Sequence, residues 1–296
     1  MLTPFNDDGS IDFKGLEELT EFYLESGASG LFANCLSSEM FELTDKERLD
    51  LVANVVKITN GRVSIVATGT FGETLQKQAD FIKKLYDLGI DAVIGITCLL
   101  VGENEPDEIL ASNIYKLLEL TDSIPMGFYE CPVPYKRIMP AKLLGELVAT
   151  GRVNYYKDTS LDIENVRSKL GAVNGHEFGL YDAYMVHAVE SLKAGSQGLS
   201  CIQGNYFPEL IVWLCRNYNN PDKEHEIQLV QNFLTENMDI MHRVYPTLPK
   251  YYLQSRGLNI SSFTRREGIG VLDKGVKQEL GRLVYDYDTL KESLFI

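Results

Sequence analysis

Short runs of β-branched, aromatic and other apolar residues alternate along the chain with stretches in which apolar residues recur at helical spacing. The short runs predict strands over 30–33, 64–69, 91–97, 124–130, 153–159, 178–182 and 198–202, and a stub at Leu2 and Thr3 brings the number to eight. Between them the 3.6-residue period predicts helices over 13–25, 45–58, 74–88, 106–120, 140–149, 162–170 and 184–194. Boundary chemistry supports the division. Thr44 and Glu47 have the spacing of a capping box, and Pro106 and Pro140 fit a first helical turn. Gly27, Gly89, Gly151 and Gly195 stand where a left-handed residue closes a helix.

Strand and helix in regular alternation predict an α/β fold with a parallel sheet, and eight such units in 296 residues fit one (β/α)8 TIM barrel. The barrel is expected over 1–220, with 208–218 as its last helix. Residues 221–296 are expected to form a C-terminal helical extension, helical over 224–245, 248–256 and 274–294. Only Met1 and Leu2 precede Thr3-Pro4-Phe5, so either a short leader is omitted or the barrel closes with a truncated first strand.

Composition adds exclusions. An apolar fraction of 45% with 24% charged residues can bury a full core, which excludes disorder. The formal net charge of -14 is spread through amphipathic segments and no basic stripe is present, so a nucleic-acid partner is not expected. No signal-like start and no long apolar run occur, which predicts a cytoplasmic protein without a membrane partner. Cys35, Cys98, Cys131, Cys201 and Cys215 are odd in number and lack CxxC spacing, so free thiols in a reducing compartment are expected.

In a barrel of this kind chemistry sits at the carboxyl ends of the strands. Lys157 stands at such an exit, behind the apolar and aromatic run Val153-Asn154-Tyr155-Tyr156. Partial burial there disfavours the ammonium and frees an amine able to form a Schiff base with a ketone. The competing reading is a lysine that snorkels to solvent or pairs with Asp158. Cys35, Cys98, Cys131 and Cys201 also lie at strand exits. A zinc or redox site is conceivable from four thiols, but no pair has metal-ligand spacing, so small space-filling residues are expected and no metal. His176, His187, His225 and His242 fall in loops or helices and form no HExxH motif or nucleophile triad.

Several segments, in matching order, carry a resemblance. Thr3-Pro4-Phe5, then Cys35-Leu36-Ser37-Ser38-Glu39 with Leu43-Thr44 and Glu47-Arg48, then Phe128-Tyr129-Glu130-Cys131-Pro132, then Tyr156-Lys157-Asp158-Thr159-Ser160 resemble the dihydrodipicolinate synthase and N-acetylneuraminate lyase family from Met1 to about residue 220. The resemblance implies a class I aldolase or lyase in which Lys157 forms a Schiff base with a pyruvate-type 2-keto acid. It implies that Tyr129 moves protons, and that no cofactor is needed beyond the covalent lysine. Ser37 and Ser38 match the loop that holds the keto-acid carboxylate, and Thr159 matches a substrate-contacting position of the lyase branch. Asp182 matches an acidic residue after the seventh strand, and Cys201 borders the same pocket. The family's usual assembly implies a homo-oligomer, a tetramer or dimer.

Three departures bear on the reaction. Leu36 replaces the family's usual hydroxyl residue, which removes a proton relay through that position. Pro134 stands where true dihydrodipicolinate synthases have an arginine, with Lys136 and Arg137 displaced along the chain. Cys98-Leu99-Leu100 stands where a tyrosine pair reaches into the neighbouring subunit. The resemblance therefore points away from the authentic synthase reaction. It leaves open a sugar-acid dehydratase using the same lysine, or a non-catalytic keto-acid sensor.

Overall fold

In the computed structural model, which describes residues 1–294, seven strands form one parallel sheet in chain order: β1 Gly30–Asn34, β2 Ser64–Thr68, β3 Ala92–Ile96, β4 Met126–Tyr129, β5 Val153–Asp158, β6 Gly179–Asp182 and β7 Gly198–Leu199. The sheet curls on itself, and helices α1 Phe13–Glu25, α2 Asp45–Thr59, α3 Leu75–Tyr86, α4 Asp107–Leu120, α5 Ala141–Ala149, α6 Ile163–Ala172, α7 Ala188–Ala194 and α8 Pro208–Asn217 cover it. Each helix turns one apolar stripe inward. In α2 the buried positions are Arg48, Leu51, Val52, Val55 and Thr59, the spacing of a single helical face. The predicted capping box is present, with Thr44 Oγ1 accepting from Glu47 N and the Glu47 carboxylate accepting from Thr44 N. Gly27, Gly89, Gly151 and Gly195 take φ of 84°, 93°, 72° and 112°, as helix closure requires.

The α/β barrel is therefore as expected, but two strands depart from the sequence reading. Leu2 and Thr3 form no strand: the Met1 amino group donates to Phe32 O at 3.0 Å and Thr3 Oγ1 to Ser38 O at 2.8 Å. Two residues flank β1 without establishing a ladder. The last predicted strand, 198–202, shortens to β7 because the chain turns into a 3-10 helix at Ile202–Asn205. Among the described residues β1 and β7 are not bonded to each other, and a cavity opens into the barrel through that seam.

The extension is helical: α9 Glu224–Glu236, α10 Met238–His242, α11 Thr247–Ser255 and α12 Lys274–Leu294. Residues 295 and 296 of the predicted extension lie outside the described residues. The expected long helix over 224–245 breaks after α10. Arg243 becomes extended and Val244 takes a φ of 47°, with Pro246 restricting Tyr245 to non-helical backbone. This break turns Tyr245 inward to the barrel, where its phenol bonds Ser37.

One carboxylate fastens the extension to the barrel. Glu39, fully buried and left-handed at φ 58°, accepts from Lys250 Nζ at 2.6 Å, from Thr264 Oγ1 at 2.6 Å and from Arg265 N at 2.8 Å. Arg265 then donates both terminal nitrogens to Glu47. A buried carboxylate needs this many donors to offset its lost hydration.

Candidate active site

β4 and β5 pair with Tyr129 opposite Lys157, so both side chains leave the same face at neighbouring strand ends. Gly127 permits the close approach. A Cβ there would meet Ile94 Cδ1 at 2.7 Å and Tyr155 O at 2.8 Å. Inside the barrel Tyr155 stacks on Tyr181 with centroids 4.7 Å apart, and Phe32 packs edge-on against Tyr129 and Tyr155. These rings hold Lys157, whose Nζ lies 4.6 Å from the Tyr129 ring centroid and 5.6 Å from that of Phe32.

Lys157 faces a cavity of about 550 Å³, which Ser37, Cys35 and Cys201 also line. Burial lowers the lysine pKa below its ordinary value, while the thiols of Cys35, Cys201 and Cys131 act in the opposite direction. The amine is therefore available at lower pH than in an exposed lysine. Burial drives the Tyr129 phenol well above its usual range, and neighbouring Cys131 and Cys35 add to this. The Tyr129 phenol therefore keeps its proton at neutral pH. Burial also holds Cys131 and Cys201 as neutral thiols, each pushed up to about 12. Among the described residues no group of three or more His, Cys, Asp or Glu side chains is arranged to hold a metal ion.

The other residues singled out from sequence have scaffold partners. Ser38 Oγ donates to Met1 O or Ala33 O and accepts from Cys35 N, so it organises the loop. Thr159 is buried with its hydroxyl donating to Glu130 O and its amide to a Glu130 carboxylate oxygen. Asp182 accepts from Tyr184 N at 2.9 Å and lies 2.8 Å from His187 Nε2. Lys157 and Ser37 thus line the cavity with the Tyr129 ring beside the lysine, whereas Ser38, Thr159 and Asp182 direct polar atoms into the surrounding framework.

Behind β4 and β5 lies an ionic cluster that sequence reasoning missed. Lys169 of α6, 1% exposed, donates to Glu130 Oε1 at 2.5 Å and to Asp158 Oδ2 at 2.6 Å. Tyr156 Oη donates to the same Glu130 oxygen, and Met139 N to it at 3.2 Å. Burial and the nearby Asp158 charge raise the Glu130 carboxyl, against the opposing effect of Lys169. Glu130 and Asp158 directly follow Tyr129 and Lys157, so strand alternation turns them to the outer face. The signal was in the sequence: Lys169 falls in the inward stripe of α6 with Val166 and Val173, where an unpaired lysine would be prohibitively costly. Tyr245 and Asn205, also missed, carry no local signal.

Fold and site define an α/β-barrel protein with a buried lysine amine and a phenol side by side at the carboxyl ends of its strands. The chain belongs to the Dihydrodipicolinate synthetase family, whose profile matches residues 1–286. It is 28% identical over 215 residues to the 4-hydroxy-tetrahydrodipicolinate synthase of Shewanella sp. (strain ANA-3), covering 73% of this chain and 71% of that protein. Among solved structures it resembles YagE, a prophage protein of the dihydrodipicolinic acid synthase family from E. coli K12 in complex with pyruvate. The TM-score is 0.85 at 20% identity, covering 98% of this chain and 96% of that one. It also resembles the Acinetobacter baumannii dihydrodipicolinate synthase complexed with pyruvate, with a TM-score of 0.83 at 22% identity over 97% of this chain and 96% of that one. No helix among the described residues is long and apolar enough to cross a membrane.

Proposed function

We propose that this chain is a Schiff-base-forming lyase that makes or breaks a carbon–carbon bond beside the carbonyl of a pyruvate-type 2-keto acid. The observation that carries this reading is the buried Lys157 amine held 4.6 Å from the Tyr129 ring in a cavity that also contains the Ser37 hydroxyl. The neutral amine attacks the keto carbon. Tyr129 gives a proton to the departing oxygen, which leaves as water, and the resulting iminium accepts the electron pair released when the neighbouring bond breaks. In the other direction, loss of a proton from the adjacent carbon gives an enamine that attacks an aldehyde. No cofactor is required, and a homo-oligomer of two or four copies belongs to the same reading.

Leu36, Pro134 and Cys98-Leu99-Leu100 favour a reaction other than that of the synthases the chain resembles. Position 36 offers no hydroxyl for a proton relay, and position 134 offers no guanidinium to the carboxylate of a second substrate. The test is intact-protein mass spectrometry after incubation with pyruvate and borohydride. The wild type is expected to gain a single reduced adduct and Lys157→Ala none. A wild type left unmodified by pyruvate and by larger 2-keto acids would overturn the covalent mechanism in favour of reversible keto-acid sensing.

A further inference from the structure

Ser37 accepts a hydrogen bond from Tyr245 Oη at 2.7 Å, and Tyr245 Oη in turn accepts from Asn205 Nδ2 at 2.7 Å. The orientation of the Asn205 amide is fixed from its other side, because its Oδ1 accepts from Tyr23 Oη at 2.7 Å. Tyr23 is the donor in that bond, and its phenol is buried within the same row of side chains. Every hydroxyl in the row therefore points one way. Ser37 already has a donor, and among the described residues its own proton has no protein acceptor. Its hydroxyl lines the cavity with Lys157.

We infer that Asn205 and Tyr245 are positioning residues that lock the Ser37 hydroxyl as a hydrogen-bond donor to the carboxylate of the bound 2-keto acid. The inference rests on the keto-acid reading of the cavity and extends it to residues from the 3-10 helix after β7 and the C-terminal extension. Reversing the row would turn Ser37 from donor to acceptor, which a carboxylate cannot use. A neutral row with fixed polarity selects anionic ligands without adding charge beside Lys157.

The test measures the pyruvate dependence of reductive trapping for wild type, Tyr245→Phe, Asn205→Asp and the double variant, after circular dichroism has shown each folded. Asn205→Asp keeps the acceptor for Tyr23 but makes Tyr245 donate to it, so Ser37 turns toward Tyr245. The half-saturating pyruvate concentration is expected to rise roughly tenfold in Asn205→Asp and about fivefold in Tyr245→Phe. The maximal trapping rate should stay within about twofold, because Lys157 and Tyr129 are untouched. In the Tyr245→Phe background the Asp substitution should add little.

An Asp effect undiminished in that background would mean simple charge repulsion and would overturn the inference. So would an unchanged half-saturation in Tyr245→Phe. Should either variant fail to fold, Ser37→Ala must reproduce the rise in half-saturation, and its failure to do so would equally overturn the inference. Absence of any wild-type adduct would sink the keto-acid reading itself, whereas normal wild-type trapping with an insensitive Tyr245→Phe would sink the positioning role alone.

Discussion

At the scale of single residues the proposed chemistry turns on the protonation of Lys157. Burial lowers its pKa and Cys35 is the first of the thiols that push it back up. Trapping with pyruvate and cyanoborohydride should therefore quicken with pH and level off below pH 10.5, the ordinary lysine value. In Cys35→Ala the levelling should come at still lower pH, because a group that favours the ammonium is gone; a shift upward would contradict this electrostatic account. In sequence Lys157 stands out by its place at a strand exit and Tyr129 through the family resemblance, and the structure sets the two opposite each other on neighbouring strands. The resemblance implies substrate contact for Thr159, and what sequence could not convey is that its hydroxyl donates to Glu130 O. Tyr245 was beyond any local pattern, since its partner Ser37 lies 208 residues away.

Between elements, the cluster of Glu130, Asp158 and Lys169 joins β4, β5 and α6 directly behind Tyr129 and Lys157. Lys169→Met would fill the space but leave two buried carboxylates facing each other, at an expected cost of about 3–5 kcal/mol. The loss should be smaller at pH 5 than at pH 8, because Glu130, already raised by burial and by Asp158, takes up a proton as the pH falls. Urea unfolding at the two pH values measures this, and equal losses would exclude repulsion between the carboxylates as the cause. The helix and strand order of the barrel was readable from hydrophobic period alone. What the period could not convey was the break after α10, which depends on Val244 entering a left-handed conformation ahead of Tyr245-Pro246.

For the molecule as a whole, the joint between barrel and extension is sensitive to acid. Arg265 holds the Glu47 carboxyl down to about 2 from an ordinary 4.5. A carboxyl depressed in the folded state contributes stability that is fully present above about pH 4.5 and is lost as the pH falls toward about 2. Urea midpoints should therefore decline over that window less steeply in Glu47→Gln, which retains the capping-box geometry, than in the wild type. An identical decline in both would assign the acid sensitivity to other carboxyls. The contacts of Glu39 with Lys250 and Thr264, 211 and 225 residues further along the chain, also impose an order in time. A ribosome adding roughly 5–20 residues per second releases the loop that carries Ser37 and Glu39 well before its partners exist, an interval of about 10–40 s for the 208 residues to Tyr245. Lys157 and Tyr129 emerge during that interval, so the nascent chain possesses its amine and phenol before the binding loop acquires its C-terminal partners, and the pocket is completed only near the end of synthesis.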